Sequence, residues 1–282
     1  MKNNGVYNNI NDFGIHIIKN LYSTSLINDI RNKVINALNN ESNYLPIKNI
    51  SAYKKNSKLL LGPNGKLKKN IRSFEIAKGL EYITKKTNSI SIKDPLITIP
   101  ELNRLVFSEK SLNIASKVFK SNNFKLGYIK LGVFFGNKLP KNCINYFHTD
   151  DLKFNLKKKI NVCKISISLN IKKTSLSEFG ILPIPKQKNI IKKQYFSINQ
   201  LDKNYANKII FPKISPGDGI LFDPMNFFHV AKKPKEKMRI IFYIEFLRKN
   251  ISKIFNKVAI SKKYLESLPL QKRKIASNFQ AI

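Results

Sequence analysis

Val162-Cys163-Lys164-Ile165-Ser166-Ile167-Ser168-Leu169-Asn170 places Cys163, Ile165, Ile167 and Leu169 on one side and Lys164, Ser166, Ser168 and Asn170 on the other. Side chains of a strand alternate with a period of two, so this run reads as a β-strand with one apolar and one polar face. Tyr128 to Phe135, Ile220 to Phe222 and Arg239 to Phe246 share its texture of branched and aromatic residues and are further strand candidates. Turn residues lie between them at Gly136-Asn137, Glu178-Phe179-Gly180, Pro183 to Pro185 and Ser215-Pro216-Gly217-Asp218-Gly219, and these predict chain reversals. Many short strands joined by polar turns point to a sandwich or jelly roll with helices packed outside it.

Upstream the period is helical. After the apolar run Gly14 to Ile18, residues Leu26, Ile27, Ile30, Val34 and Leu38 recur at helical spacing behind the cap candidates Thr24 and Ser25. Leu61 to Asn70 is rich in Gly, Pro and Lys and reads as a loop. Pro100-Glu101 opens a second helix that includes Leu102, Leu105 and Val106, and Ser111 to Phe119 continues in the same style. No internal repeat or low-complexity linker interrupts the chain. The expectation is one domain over 1–282, with a mainly helical part at 1–125, a jelly-roll core at 126–250 and a helical tail at 251–282.

Lys and Arg outnumber Asp and Glu by 52 to 17, a formal charge of +35. Taken alone, this describes a nucleic-acid or anionic-membrane binder. The detail argues otherwise: 46 of the 52 cations are Lys and 6 are Arg, and Lys, Asn and Ile together fill 121 of 282 positions. That joint excess has the look of a genome's codon composition, whereas readers of phosphates and bases lean on the planar fork of Arg. The charge is therefore read as solvated surface, with no nucleic acid favoured as a partner. Lys157-Lys158-Lys159 and Lys232-Lys233-Pro234-Lys235 are solvated loops by default. The second overlooks the mouth of the pocket inferred below, which leaves room for an anionic substrate. Cys143 and Cys163 fit neither a disulfide framework nor a zinc pattern and read as free thiols. The first residues carry no apolar signal region and no apolar run reaches the ~18 residues of a membrane span. A soluble, cytoplasmic protein is expected; its oligomeric state has no sequence signature.

The chemistry concentrates in the strand-rich half. His148-Thr149-Asp150 lies in Asn145-Tyr146-Phe147-His148-Thr149-Asp150-Asp151. In a strand, residues i and i+2 share a face, so this imidazole and this carboxylate can converge on one ion. His229, in Phe227-Phe228-His229-Val230-Ala231 just after Pro216-Gly217-Asp218-Gly219-Ile220-Leu221-Phe222-Asp223, is the other imidazole of this region. Two His and one carboxylate form the facial triad of non-haem Fe(II) oxygenases, and the absence of thiolate ligands argues against a structural zinc. Arg239, ten positions after His229, is unexpected in so Lys-rich a chain and suits bidentate capture of a carboxylate such as the far end of 2-oxoglutarate. His16, between Ile15 and Ile17, reads as an ordinary structural histidine, Asp151 as a second-shell or surface group, and Asp218 as turn chemistry.

This pattern, His148-Thr149-Asp150, then His229, then Arg239, resembles the phytanoyl-CoA dioxygenase family of Fe(II)/2-oxoglutarate oxygenases. Asp12 to Leu21 with the capped helix after it resembles the family's N-terminal strand and helix, Glu178 to Pro185 its Asn-Gly-Pro-Leu stretch, and Pro216 to Asp223 the strand before its distal His. Two features depart from the pattern. Lys186-Gln187-Lys188 stands where Ser-His usually follows the Ile-Pro segment, and no Ser follows Arg239 two positions on. The resemblance implies a mainly β fold with flanking helices, its core a double-stranded β-helix (jelly roll, cupin-like). It also implies Fe(II) held by His148, Asp150 and His229, 2-oxoglutarate as co-substrate with its C5 carboxylate on Arg239, and dioxygen as oxidant. Succinate and carbon dioxide would be released as a small molecule is hydroxylated. Asp150 favours that outcome, since related halogenases lack the carboxylate. Lys130 and Ser166, on strands near the metal, are further candidate contacts for the co-substrate. A nucleic-acid-modifying oxygenase and a non-enzymatic metal-binding jelly roll are the alternatives, and Arg239 counts against the second.

Overall fold

The structure, a computed structural model, describes residues 5–39, 89–92, 94–135, 146–150, 160–170, 178–185, 195–198, 201–232, 238–251 and 258–282. Its strands are β1 (Ile15–Ile18), β2 (Ser89–Ile92), β3 (Phe124–Phe135), β4 (Tyr146–His148), β5 (Val162–Ser168), β6 (Phe179–Pro185), β7 (Tyr195–Ser197), β8 (Gly219–Phe222), β9 (Phe227–Ala231), β10 (Met238–Arg248), β11 (Ala259–Ile260) and β12 (Gln280–Ala281). Ten of them form two antiparallel sheets, one in the order β1-β8-β5-β10-β3-β2 and one in the order β6-β9-β4-β7. A short parallel pair, β11 with β12, closes the C-terminal part.

The alternation of β5 is realised, but its polar side does not meet bulk water. Cys163, Ile165 and Ile167 join Phe242, Ile244 and Phe246 of β10 in the main apolar cluster, which also takes in the helices. Helix Thr24–Asn39 contributes Ile27, Ile30, Val34 and Leu38, and helix Glu109–Phe119 contributes Leu112, Ala115, Val118 and Phe119. The helices thus cover one face of the large sheet. The opposite face, carrying Lys164, Ser166, Tyr243 and Glu245, looks toward the small sheet, and residues of both sheets meet there in a second cluster that includes Ile15, Phe179, Ile181, Phe222 and Phe227.

Phe246 anchors the helical side. It is fully buried and its ring meets Phe124 edge-on at 5.8 Å between centroids. Phe246→Ala should cost about 3 to 5 kcal/mol through lost transfer energy and the cavity left behind. Urea unfolding should show it as a large drop in midpoint with little change in slope.

Two expected turns prove to be strand. Phe179-Gly180 and Pro183 to Pro185 all belong to β6. β6 lies at the edge of its sheet, where a proline's missing N–H need not interrupt a ladder, and its pairing with β9 is irregular between Ile181 and Pro185. The 3-10 turn Pro100–Leu102 runs into the short helix Asn103–Val106, so the helix expected from Pro100 is present in two pieces. The first part of the chain, whose described residues are mainly helical, also supplies both edges of the large sheet, β1 and β2. The expected loop Leu61 to Asn70, the turn Gly136-Asn137, Cys143, Asp151, Lys157 to Lys159 and Lys186 to Lys188 lie outside the described residues.

The turn before β8 is built as its residues demand. Gly217 has φ +87°, and a Cβ there would collide with the carbonyl oxygen of Tyr22. Asp218 accepts from the backbone N–H of Asn20 and of Ser215 and from the Lys19 ammonium, clasping the end of β1 to the start of β8. No helix of the described residues is long and apolar enough to cross a membrane.

Candidate metal centre

β4 and β9 are adjacent antiparallel strands, and their register sets His148 directly opposite His229. The imidazole centroids are 4.5 Å apart. β4 ends at His148, so Asp150 is not placed by strand alternation; its backbone N–H donates to the carbonyl of Pro224 at 2.9 Å and turns the chain back toward β9. One ligand atom from each of His148, Asp150 and His229 lies within 4.8 Å of the others. Asp150 Oδ1 faces His229 Nε2 at 3.3 Å and His148 Nε2 at 3.9 Å. His229 Nδ1 looks at the carbonyl of Phe227 at 3.4 Å, which leaves Nε2 for the centre. Phe179 and Phe222 pack against the His229 ring at centroid distances of 5.9 and 5.2 Å and wall that side with hydrocarbon.

The other oxygen of Asp150 belongs to Lys164. Its ammonium contacts Asp150 Oδ2 and lies 3.3 Å from Glu245 Oε2. Burial alone would raise the Asp150 pKa, but the Lys164 ammonium and the two imidazoles outweigh it and hold this carboxyl well below the ordinary range. Burial works against the Lys164 charge too, and here Asp150 and Glu245 overcome it, so the ammonium is held charged. Tyr128, beside Lys164 at 5.8 Å from ring centroid to nitrogen, has its pKa pushed up by burial to about 12, so it remains a neutral phenol at neutral pH.

Arg239 is the second residue of β10 and is 4% exposed. Its Nη1 donates to Glu178 Oε2 at 2.6 Å, and its guanidinium carbon lies 5.0 Å from the centroid of the Phe134 ring. Nε and Nη2 are buried and find no hydrogen-bond acceptor among the described residues. These two nitrogens form one edge of the guanidinium plane, the edge that grips a carboxylate with two parallel bonds. On the face of the large sheet that carries Arg239 and Lys164 sit Lys130 and Ser166, each directly across from Tyr243 on the strands flanking it. Lys130 has its pKa lowered by burial and by Lys164, and among the described residues it makes no hydrogen bond or ion pair. Tyr243 is raised by burial and bonds to Ser166.

All six candidate site residues therefore belong to one region between the two sheets. His16 does not: it lies on β1 opposite Leu221, held by the side chain of Asn9 at 3.0 Å. Sequence reasoning missed Lys164, Glu245, Glu178, Tyr128 and Tyr243. For Lys164 the signal was present, since it shares its strand face with Ser166. Asp223 was also passed over. It is buried, accepts from the backbone of Met225 and Asn226 and from the Asn226 amide, and burial lifts its pKa to about 6, so it builds the loop that carries Pro224. Cys163 is buried, and burial raises its thiol pKa.

The fold is shared with solved structures of very different sequence. A crystal structure of the epimerase SnoN in complex with Fe3+, alpha ketoglutarate and nogalamycin RO matches with a TM-score of 0.51 at 8% identity, over 87% of this chain and 83% of that one. AviO1 from Streptomyces viridochromogenes Tue57 matches with a TM-score of 0.52 at 10% identity, over 90% of this chain and 98% of that one. At such identities the likeness is one of fold. No family model and no curated protein matches the sequence.

Proposed function

We propose that this protein is an Fe(II)- and 2-oxoglutarate-dependent dioxygenase with a double-stranded β-helix core, akin to the phytanoyl-CoA dioxygenase family, that hydroxylates a small molecule. The observation that carries the reading is the presence of two separate features between the facing sheets, one borne by the small sheet and the other by β10 of the large one. One is a cluster of two imidazoles and a carboxylate; the other is a buried guanidinium with an unused bidentate edge. A site that bound only a metal would have no use for the second.

The residues fit both groups. His148, Asp150 and His229 offer nitrogen and oxygen donors without thiolate, the set preferred for Fe(II) in oxygenases. Arg239 offers Nε and Nη2 to a carboxylate, with Glu178 fixing the third nitrogen. Bound Fe(II) would supply the redox chemistry that divides dioxygen between 2-oxoglutarate, released as succinate and carbon dioxide, and a substrate C–H bond. The chain's own contribution is placement. His148 and His229 are fixed by their strand register, and Asp150 by its bond to Pro224. Phe179 and Phe222 keep water from one side of His229, and Arg239 sets how far the co-substrate reaches from the centre.

Lys130 and Ser166, lying between the two ends, are assigned to the co-substrate as well. Lys130→Met should raise the apparent Kd for 2-oxoglutarate about 3- to 10-fold, the worth of one ordinary hydrogen bond. Calorimetry on the Co(II)-loaded protein reads this directly, and an unchanged Kd would remove Lys130 from the site. For the function itself the deciding experiment is mass spectrometry. Metabolite extracts are incubated with protein, Fe(II) and 2-oxoglutarate, and searched for succinate formation together with a product heavier by one oxygen. Succinate without an oxygenated product would redirect the assignment to another oxidative outcome, and no 2-oxoglutarate consumption would sink it.

A further inference from the structure

We infer that Lys164 and Glu245 hold Asp150 as a one-oxygen ligand, keeping open the coordination positions that a chelating co-substrate and dioxygen need. The inference rests on the function proposed above.

A carboxylate can bind a metal through one oxygen or both, and the choice decides how many positions remain. Two imidazoles and one oxygen leave three of six; a second oxygen from Asp150 would leave two, all of which a chelating keto acid would occupy. In this structure the oxygens are already divided. Oδ1 faces both imidazoles, at 3.3 and 3.9 Å, while Oδ2 contacts the Lys164 ammonium. Lys164 cannot swing away easily. Its backbone is paired with Glu245 across the β5–β10 ladder, its nitrogen lies 3.3 Å from the Glu245 carboxylate, and the Tyr128 ring lies 5.8 Å away. The side chains of Lys164 and Glu245 are only 14% and 1% exposed. Two carboxylates sharing one ammonium in a strand interior are costly to desolvate, and an apolar pair would pack there without that cost. The arrangement makes sense if it acts on Asp150.

The charges set the sign of the effect. Asp150, Glu245 and Lys164 together carry −1, and a divalent ion brings the centre to +1, attractive to a dianionic keto acid. Removing the Lys164 ammonium strengthens the field that attracts the metal, frees Oδ2 to chelate it, and weakens the attraction for the dianion. Lys164 is thus a positioning residue whose loss tightens one ligand and loosens the other, a pattern that general damage to the fold does not produce.

The test uses Co(II) as the probe metal. Lys164→Met, and the charge-balanced pair Lys164→Met with Glu245→Gln, should bind Co(II) about 10-fold more tightly than the wild type by calorimetry. The Co(II)-loaded variants should bind 2-oxoglutarate about 10-fold more weakly; both figures take the lower end of the size of outer-shell effects, with the sign set by the loss of the ammonium and the release of Oδ2. Lys164→Arg, which keeps a cation at the position, should restore the wild-type balance. Weaker or unchanged Co(II) binding by both Met variants would overturn the inference. A crystal structure of the wild-type protein with Co(II) tests it without any substitution: one Asp150 oxygen on the metal and the other on Lys164 supports it, and both oxygens on the metal overturns it alone. Wild-type protein that binds no Co(II) overturns the proposed function, and this inference with it.

Discussion

Asp150→Ala is expected to lower the affinity for Fe(II) or Co(II) by more than about 100-fold. Partners standing behind a ligand shift metal affinity by about 10- to 100-fold, in a direction set by their charge; a direct ligand is worth more, and Asp150 is the sole anionic member of the cluster His148, Asp150 and His229. The loss should be specific. Glu245 still faces Lys164 at 3.3 Å, so the ammonium keeps a counter-charge after Asp150 is gone. Competition against a chelator of known affinity measures the effect, with Asp150→Asn as a variant that keeps the shape and loses the charge. Metal binding within ~3-fold of wild type in both variants would show that the ion, if one binds, is held elsewhere, since loss of a true ligand exceeds the outer-shell range.

Arg239→Lys should raise the Kd and the apparent Michaelis constant for 2-oxoglutarate by roughly one to two decades. That is the worth of the ~1.5 to 3 kcal/mol expected from a charge-assisted pair. The geometry sharpens the reason. Arg239 spends Nη1 on Glu178 and keeps Nε and Nη2 for a ligand. A lysine has no planar edge, and an ammonium drawn to the carboxylate already beside it would offer the co-substrate one hydrogen bond at most in place of two parallel ones. Co(II) affinity should stay within about 2-fold, because Arg239 is not a ligand. Succinate release against 2-oxoglutarate concentration decides the matter. An unchanged dependence would pass the carboxylate to Lys130, a cation of that face that makes no ion pair among the described residues.

The strands were legible where a two-residue period ran long enough to declare itself, as in β5 and β10. The cluster of His148, Asp150 and His229 was legible because imidazoles are scarce in this chain and their spacing to a carboxylate and an arginine is restrictive. Lys164 and Glu245 were not, and the reason is physical. An alternating strand shows which residues share a face, but polar residues on that face are ordinarily solvated. Here the helices cover the apolar face with Ile27, Ile30 and Phe119, and the small sheet turns the polar face into the lining of a site. Nothing local to β5 encodes that inversion. β6 was misjudged for the converse reason: Pro183 and Pro185 speak locally for a turn, and only the position of β6 at a sheet edge lets them sit in a strand. Asp150 was placed with the right partners for an incomplete reason, since a backbone bond to Pro224, not strand alternation, brings it in.

The clasp between the end of β1 and the turn before β8 bears on how the chain is made. Lys19 and Asp218 are 199 residues apart, and every pairing of β1 is with β8. At a synthesis rate of about 5 to 20 residues per second, β1 waits roughly 10 to 40 seconds on the ribosome before its partner exists. During that interval Ile15, Ile17 and Ile18 form an apolar strand with an open edge, the sort of segment that engages chaperones or pairs wrongly. His148 likewise gains its partner only when β9 emerges. On the proposed function, metal capture would therefore be a late event in biogenesis, possible only after about four-fifths of the polypeptide has left the tunnel.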